Sequence, residues 1–280
     1  MIFRHLHRVK QQAVIFRLFC FLGCLAIVWL PLAIPLNWLL KSNPNLATIV
    51  TMGLLLVIFV VLQKWWGKYV YLEANVFTRY GLRFNQLTSI DLIKGLAIGF
   101  GVCWALFVIE AVLGWVEINN TFVGLSKIVA EGLLSALGIA FAEELVFRGW
   151  VLYELERDYS KNNALWISSI VFAIAHFLKP IAEIIRTIVT FPALLLLGLT
   201  LVWAKRSYKN NLAICIGIHG GLVWGYYILN VGNLIAYTDR VPDWITGIDG
   251  NPIAGLLGLS FLWLLALAMK KKQNTVNNQS

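Results

Sequence analysis

The sequence predicts an all-α, polytopic integral membrane protein with about eight transmembrane helices and both termini cytoplasmic. Three observations predict it. Mean hydropathy is +0.75 and only 13% of residues are charged, well outside globular composition. Several apolar stretches approach the ~20 residues that cross a bilayer as helix. The basic residues, finally, are distributed unevenly between alternate connecting segments. In a soluble domain the net charge of +9 would suggest nucleic acid; here its placement indicates topology, and no basic nucleic-acid patch or Gly-rich phosphate loop is present.

The elements follow in order. The first span, Val14–Leu36, comes after a basic arm holding Arg4, His5, His7 and Arg8. It is expected to be an anchor rather than a secretory signal: its apolar stretch is long, Pro31 and Pro35 interrupt its end, and no small-residue cleavage site follows. The second is Leu46–Leu62, after which the polar stretch Gln63–Asp91 is expected along the membrane surface. The third is Leu92–Trp115 and the fourth Ile128–Trp150, extending toward Leu155. The fifth, Ala164–Leu178, is short and requires either a thin local bilayer or continuation past Pro180 toward Arg186. The sixth, Ile188–Ala204, contains Pro192, which neighbouring helices make tolerable. The seventh is Leu212–Leu229 and the eighth Ile253–Met269, followed by a polar tail from Lys270. Trp29, Trp38, Trp65, Trp66, Trp115 and Trp150 fall near proposed span ends, where amphipathic rings favour the interface.

Loop charge tests this arrangement. With a cytoplasmic N-terminus, seventeen of the 23 basic residues fall inside and five outside (Lys41, Lys127, Lys179, Arg186 and Arg240), with Arg148 left within a span. That bias supports eight spans and two cytoplasmic ends, and the cell (plasma) membrane is the expected location. Residues 1–280 read as a single membrane domain without a soluble domain or internal repeat. Cys20, Cys24, Cys103 and Cys215 lie inside spans without a CxxC spacing, as small packing residues do. Gly217, Gly221 and Gly225 recur every four residues, which lets another helix backbone approach that face, while His219 points away from the stripe.

Ionisable groups in lipid are costly, by roughly 2.5–3.5 kcal/mol on insertion scales, so each requires an explanation. Glu144 and Arg148, at i and i+4, can neutralise each other as a structural ion pair. Glu143 is about 140° from Arg148 around the helix and lacks a local partner; a headgroup-reaching glutamate is its ordinary reading, general acid–base work its functional one. His176 and His219 are the two imidazoles within spans. Each could simply bond a carbonyl, but topology allows both to meet Glu143 in the inner half of the membrane. No serine (Ser135, Ser168, Ser169 or Ser260) sits in a GxSxG elbow.

These residues carry a resemblance. Glu143, Glu144 and Arg148 form EExxxR, Phe172 and His176 form FxxxH, and His219 opens a third motif; together they resemble the CPBP family of intramembrane proteases, which includes the CAAX prenyl endopeptidases. The resemblance covers a protease-like core at residues 128–229. It implies peptide-bond hydrolysis in a membrane-associated or prenylated substrate, with the bilayer, and not nucleic acid, as surroundings. Glu143 would be the general base, His176 its assistant and His219 the group that stabilises the oxyanion or orients substrate. Glu144, Arg148 and Phe172 would support them. Val223 stands where the family often has Asn, so Trp224, Tyr226 or a backbone amide must supply that donor, or the chain is slow or inactive. One Glu and two His (Glu143, His176, His219) also compose a credible zinc set; without an HExxH, a metal-free glutamate-activated water is preferred. Two other readings remain open: a proton- or ion-coupled transporter whose relay includes Glu110 and Glu131, and a catalytically inactive scaffold.

Overall fold

The computed structural model describes residues 8–119 and 124–279; Arg4, His5 and His7 of the N-terminal arm lie outside them. The described chain is almost wholly helical. It comprises α1 (Val14–Leu39), α2 (Pro44–Trp66, continued by a π turn, Gly67–Tyr71), α3 (Val76–Arg79), α4 (Gln86–Val112), α5 (Leu125–Glu144), a π segment (Leu145–Val151) and α6 (Leu152–Asp158). There follow α7 (Lys161–Ala175), α8 (Ile181–Thr187), α9 (Phe191–Ser207), α10 (Leu212–Val231), α11 (Asp243–Thr246) and α12 (Leu256–Gln279). Strands β1 (Val116–Ile118) and β2 (Ile235–Tyr237) pair antiparallel, with Val116 opposite Tyr237.

Among the described residues six helical stretches are long and apolar enough to cross a membrane: Val14–Leu39, Pro44–Tyr71, Gln86–Val112, Leu125–Asp158, Ile181–Ser207 and Leu212–Val231. The protein is therefore an integral membrane protein of helical type. The expected fifth and eighth spans are helices too, but shorter in apolar length. α7 has 15 residues, about 22 Å of helix against a ~30 Å hydrocarbon core. The apolar part of α12 ends at Met269, where three lysines follow.

Several boundaries differ from expectation for physical reasons. Pro31 and Pro35 do not interrupt α1, which runs through both to Leu39. The second helix continues past Leu62 to Tyr71, because Gln63 is buried and accepts a hydrogen bond from Tyr80 Oη at 2.6 Å instead of facing headgroups. α7 stops at Ala175 and a new helix starts after Pro180, whose fixed φ suits the residue just before a helix and disfavours helix through its predecessor. Pro192 sits in the first turn of α9, where no amide donor is missed.

The chain forms two compact units. One runs through Tyr80 and takes in Tyr153–Tyr159; the other holds Gly81–Leu152 and the residues from Ser160 onward. In the first, α1 and α2 pair, with Phe21 edge-on to Phe59 and Trp66. Arg17, buried, binds Glu154 at 2.7 Å and Asp158 at 3.0 Å, and Tyr71 Oη donates to Glu154 at 2.6 Å.

The second unit is organised on α10, which packs along α4 and α5. Its glycine stripe lies against α4: a Cβ on Gly217 would come within 2.3 Å of Leu92 O, and one on Gly221 within 2.3 Å of Leu96 O. Gly95 and Gly99 answer from α4, where a Cβ would reach Ile214 O at 2.5 Å and Ile218 O at 2.1 Å. Backbones therefore touch, as small-residue seams in membranes permit. Because α10 meets α4 through this stripe, its opposite side, with His219 and Gly220, is turned toward α5; a Cβ on Gly220 would lie 3.3 Å from Leu137. α9 packs against α7 and α12 around a core that includes Phe172, Leu194, Leu201, Ile214 and Ile218.

Candidate functional site

Glu143 and Glu144 end α5, just where the chain widens into the π segment Leu145–Val151 that contains Arg148. Such segments are uncommon and concentrate at functional sites, since they redirect side chains within an otherwise regular helix. The site lies wholly within the second unit and brings together Glu143, Glu144, Arg148, Phe172, His176 and His219.

Glu144 and Arg148 pair as their spacing predicts, Nη1 to Oε1 at 3.0 Å, with both side chains buried. The same Oε1 also lies 2.9 Å from His219 Nδ1. A carboxylate can only accept there, so His219 carries its proton on Nδ1 and its Nε2 faces away from Glu144. Glu144 thus secures two partners, an arrangement that sequence spacing did not foretell because His219 is 75 residues distant.

His176 is held by a different device with the same result. α7 ends one residue before it, its backbone N–H turns to Ile174 O, and its ring Nδ1 donates to Phe172 O at 2.8 Å. A carbonyl oxygen only accepts, so this imidazole too carries its proton on Nδ1. The FxxxH spacing acquires a physical meaning here, for residue i−4 supplies both a carbonyl and a wall. The buried Phe172 ring meets His176 edge-on, centroids 4.6 Å apart, and carries the Arg148 guanidinium 4.0 Å above its centre. That cation–aromatic contact ties the ion pair of one helix to the histidine of another.

With both Nδ1 atoms occupied, the two Nε2 atoms converge on one oxygen. His176 Nε2 lies 3.7 Å and His219 Nε2 3.9 Å from Glu143 Oε2, too far for direct hydrogen bonds and within reach of one bridging water. Glu143 Oε2 has no hydrogen-bond partner among the described residues. Glu143 and His176 remain 30% exposed, whereas His219 is 7% exposed, so the cluster has one open side. Arg148 neutralises Glu144, which leaves Glu143 as the uncompensated carboxylate of the group.

Beside the imidazoles opens a cavity of about 240 Å³ with apolar walls from Phe172, Leu194, Leu197 and Phe261. His176 and His219 line it, as do Val223, Tyr226 and Asn251. The two side chains expected to replace the missing amide at Val223 are committed elsewhere: Trp224 Nε1 donates to Val129 O at 2.9 Å, and Tyr226 Oη to Gly250 O at 2.8 Å. Of the expected relay, Glu131 is exposed and paired with Lys127, and Glu110 is buried with both carboxyl oxygens unpartnered. No hydrogen bond joins either to the Glu143 group among the described residues.

Oxygen and imidazole nitrogen are suitable zinc donors, and both Nε2 lone pairs are available. Yet no group of three or more His, Cys, Asp or Glu side chains among the described residues is gathered closely enough to hold a metal ion. The arrangement does not fit a three-ligand centre, and no chemical step below passes through one.

Lys205, which charge distribution places on the cytoplasmic side, is buried and donates from Nζ to Arg148 O at 2.5 Å. It occupies a carbonyl in the π segment, a role that only a tertiary contact could reveal. Arg17, from the same group of cations, is likewise buried.

Fold and site together define a polytopic helical membrane protein with a glutamate and two histidines gathered from three of its helices. Residues 125–225 match the family described as type II CAAX prenyl endopeptidase Rce1-like, which supports a CPBP/CAAX protease family assignment for this segment. The matched segment contains all six site residues. No curated protein and no solved structure matches the chain.

Proposed function

We propose that the protein is an intramembrane endopeptidase that hydrolyses a peptide bond in a membrane-associated or prenylated, CAAX-type, protein or peptide, with Glu143 activating water. The convergence of two fixed imidazoles on one unpartnered carboxylate oxygen carries this reading. A water that donates to Glu143 Oε2 and to one of the two Nε2 atoms loses a proton to Glu143 as its oxygen bonds to the scissile carbonyl carbon. The tetrahedral intermediate then collapses, the C–N bond breaks, and the proton passes to the leaving amine. His176 assists that transfer, and His219 orients water and substrate. Glu144 and Arg148 hold His219 and the end of α5, while Phe172 positions His176.

The apolar cavity beside the imidazoles supports a lipophilic substrate group, for burying such a group from water is favourable at roughly 25 cal/mol per Å². In this reading residues 128–229 are the catalytic core, eight helices cross the cell membrane, and both termini are cytoplasmic, as the distribution of basic residues supports. The test is cleavage of a prenylated or membrane-embedded reporter peptide by protein purified in detergent. Wild type is expected to cut it and Glu143→Gln to fold but not cut. Equal cleavage by both would remove Glu143 from the mechanism. A wild type that cuts nothing, yet moves protons in liposomes in a Glu143-dependent way, would favour a transporter.

A further inference from the structure

Hydrolysis of an amide places negative charge on the former carbonyl oxygen, and that charge requires a donor in the site. The two histidines supply none in their neutral form, because their Nδ1 protons are spent on Phe172 O and Glu144 and each turns only a lone pair toward the reacting groups. Arg148 pairs with Glu144 through Nη1 and lies over Phe172; its Nη2 has no hydrogen-bond partner among the described residues, but the side chain is buried and does not line the cavity beside the imidazoles, and Val223 carries no polar atom. Apart from the imidazoles, three polar side chains line the adjoining cavity: Cys103, Tyr226 and Asn251. Tyr226 Oη already donates its hydrogen bond to Gly250 O, and a thiol is a weak donor.

Resting on the hydrolytic reading above, we propose that Asn251 is the oxyanion donor of this site. Asn251 lies in the connection between α11 and α12, well outside the segment that matches the protease family. Its Oδ1 accepts from Ile253 N at 3.3 Å and so begins the short 3-10 turn Pro252–Ala254. That bond fixes which end of the amide is acceptor and leaves Nδ2, with its two protons, without a partner among the described residues. The strap that carries it is itself pinned: Tyr226 Oη from α10 holds Gly250 O, and Arg186 holds Asp249 at 2.5 Å. Gly247 (φ 138°) and Gly250 (φ 70°) adopt backbone conformations that suit glycine, so the strap's path is specified locally as well. Asn251 is thus a preorganised neutral donor, delivered to the cavity from a segment remote in sequence. It takes the place of the amide that α10 lacks at Val223, and it meets the carbonyl oxygen of the bound peptide as the tetrahedral intermediate forms.

The experiment measures kcat and KM on the reporter peptide for wild type, Glu143→Gln, Asn251→Asp, Asn251→Ala and the double variant Asn251→Ala with Val223→Asn. Asn251→Asp keeps the oxygen that caps Ile253 and replaces the donor by a second acceptor. It is expected to lower kcat by about 10²–10³-fold with KM little changed, the effect of removing one oxyanion donor. Val223→Asn, which puts an amide on another wall of the same cavity, is expected to restore at least about tenfold of the Asn251→Ala loss, which a purely structural role for Asn251 would not allow. Asn251→Asp within about threefold of wild type, beside an inactive Glu143→Gln, overturns the Asn251 assignment and leaves the endopeptidase intact. An inactive wild type, or an active Glu143→Gln, overturns the hydrolytic reading and the Asn251 assignment with it.

Discussion

Two adjacent glutamates with opposite responses to the same substitution make the sharpest test of the site. Glu144 is fully buried, and its Oε1 receives both the Arg148 guanidinium at 3.0 Å and His219 Nδ1 at 2.9 Å. Glu144→Gln preserves shape and removes charge, leaving Arg148 an uncompensated cation in a buried site; breaking such a pair costs about 3–5 kcal/mol. Glu143→Gln removes a carboxylate that is 30% exposed and makes no hydrogen bond through Oε2. Its stability is expected to stay within about 1 kcal/mol of wild type, while activity falls by about 10²–10⁴-fold with the loss of the general base. The assay pairs denaturant unfolding in mild detergent with reporter cleavage on the same samples. A double variant, Glu144→Gln with Arg148→Met, removes both charges and is expected to be less unstable than the two single losses added, with a coupling of about 0.5–3 kcal/mol. Additive losses would refute the buried pair, and a destabilised Glu143→Gln beside a robust Glu144→Gln would reverse the assigned roles.

Other consequences are equally direct. Gly221→Ala forces a methyl to 2.3 Å from Leu96 O and is expected to destabilise by about 1–3 kcal/mol or more, whereas Gly101→Ala, where nothing lies within 4 Å, should be neutral or stabilise by about 0.5–1 kcal/mol in the same unfolding assay. Lys205→Met orphans the Arg148 carbonyl and is expected to cost about 1–3 kcal/mol, with kcat falling more than KM rises if the π segment positions Glu143; an unchanged melt would show that carbonyl satisfied by another group. In the metal-free reading, in which Glu143 itself activates the water, a zinc chelator is expected to leave cleavage intact; activity lost on chelation and regained with zinc would refute that expectation.

Much of the fold was legible because lipid imposes simple rules. A backbone without water must satisfy its own hydrogen bonds, so long apolar runs become helices, and their approximate positions follow from hydropathy. Exact ends were less legible. Gln63 looked like a surface residue, yet Tyr80 gives it a partner and the helix continues through it. Pro31 and Pro35 looked like interruptions, yet α1 continues past both. The glycine spacing on α10 disclosed a close helix contact but not its partner; Gly95 and Gly99 on α4 answer it, a pairing that no local pattern encodes.

For the site, the sequence by itself determined the cast: two carboxylates and an arginine at helical spacing, and two imidazoles in apolar spans, each costly enough in lipid to demand a partner. It also determined the Glu144–Arg148 pair, because i and i+4 are neighbours on any helix. The Phe172 O that sets the tautomer of His176 is a local, i−4 partner, whereas only the tertiary structure decided that Glu144 holds His219 as well and that both Nε2 atoms turn toward Glu143 Oε2. It also brought Asn251 into a cavity wall facing the site from 32 residues beyond His219. The physical reason is range. Helical periodicity fixes which neighbours lie within a few residues of each other, as His176 and Phe172 do, whereas the proton of His219 is directed by a carboxylate that another helix brings to it.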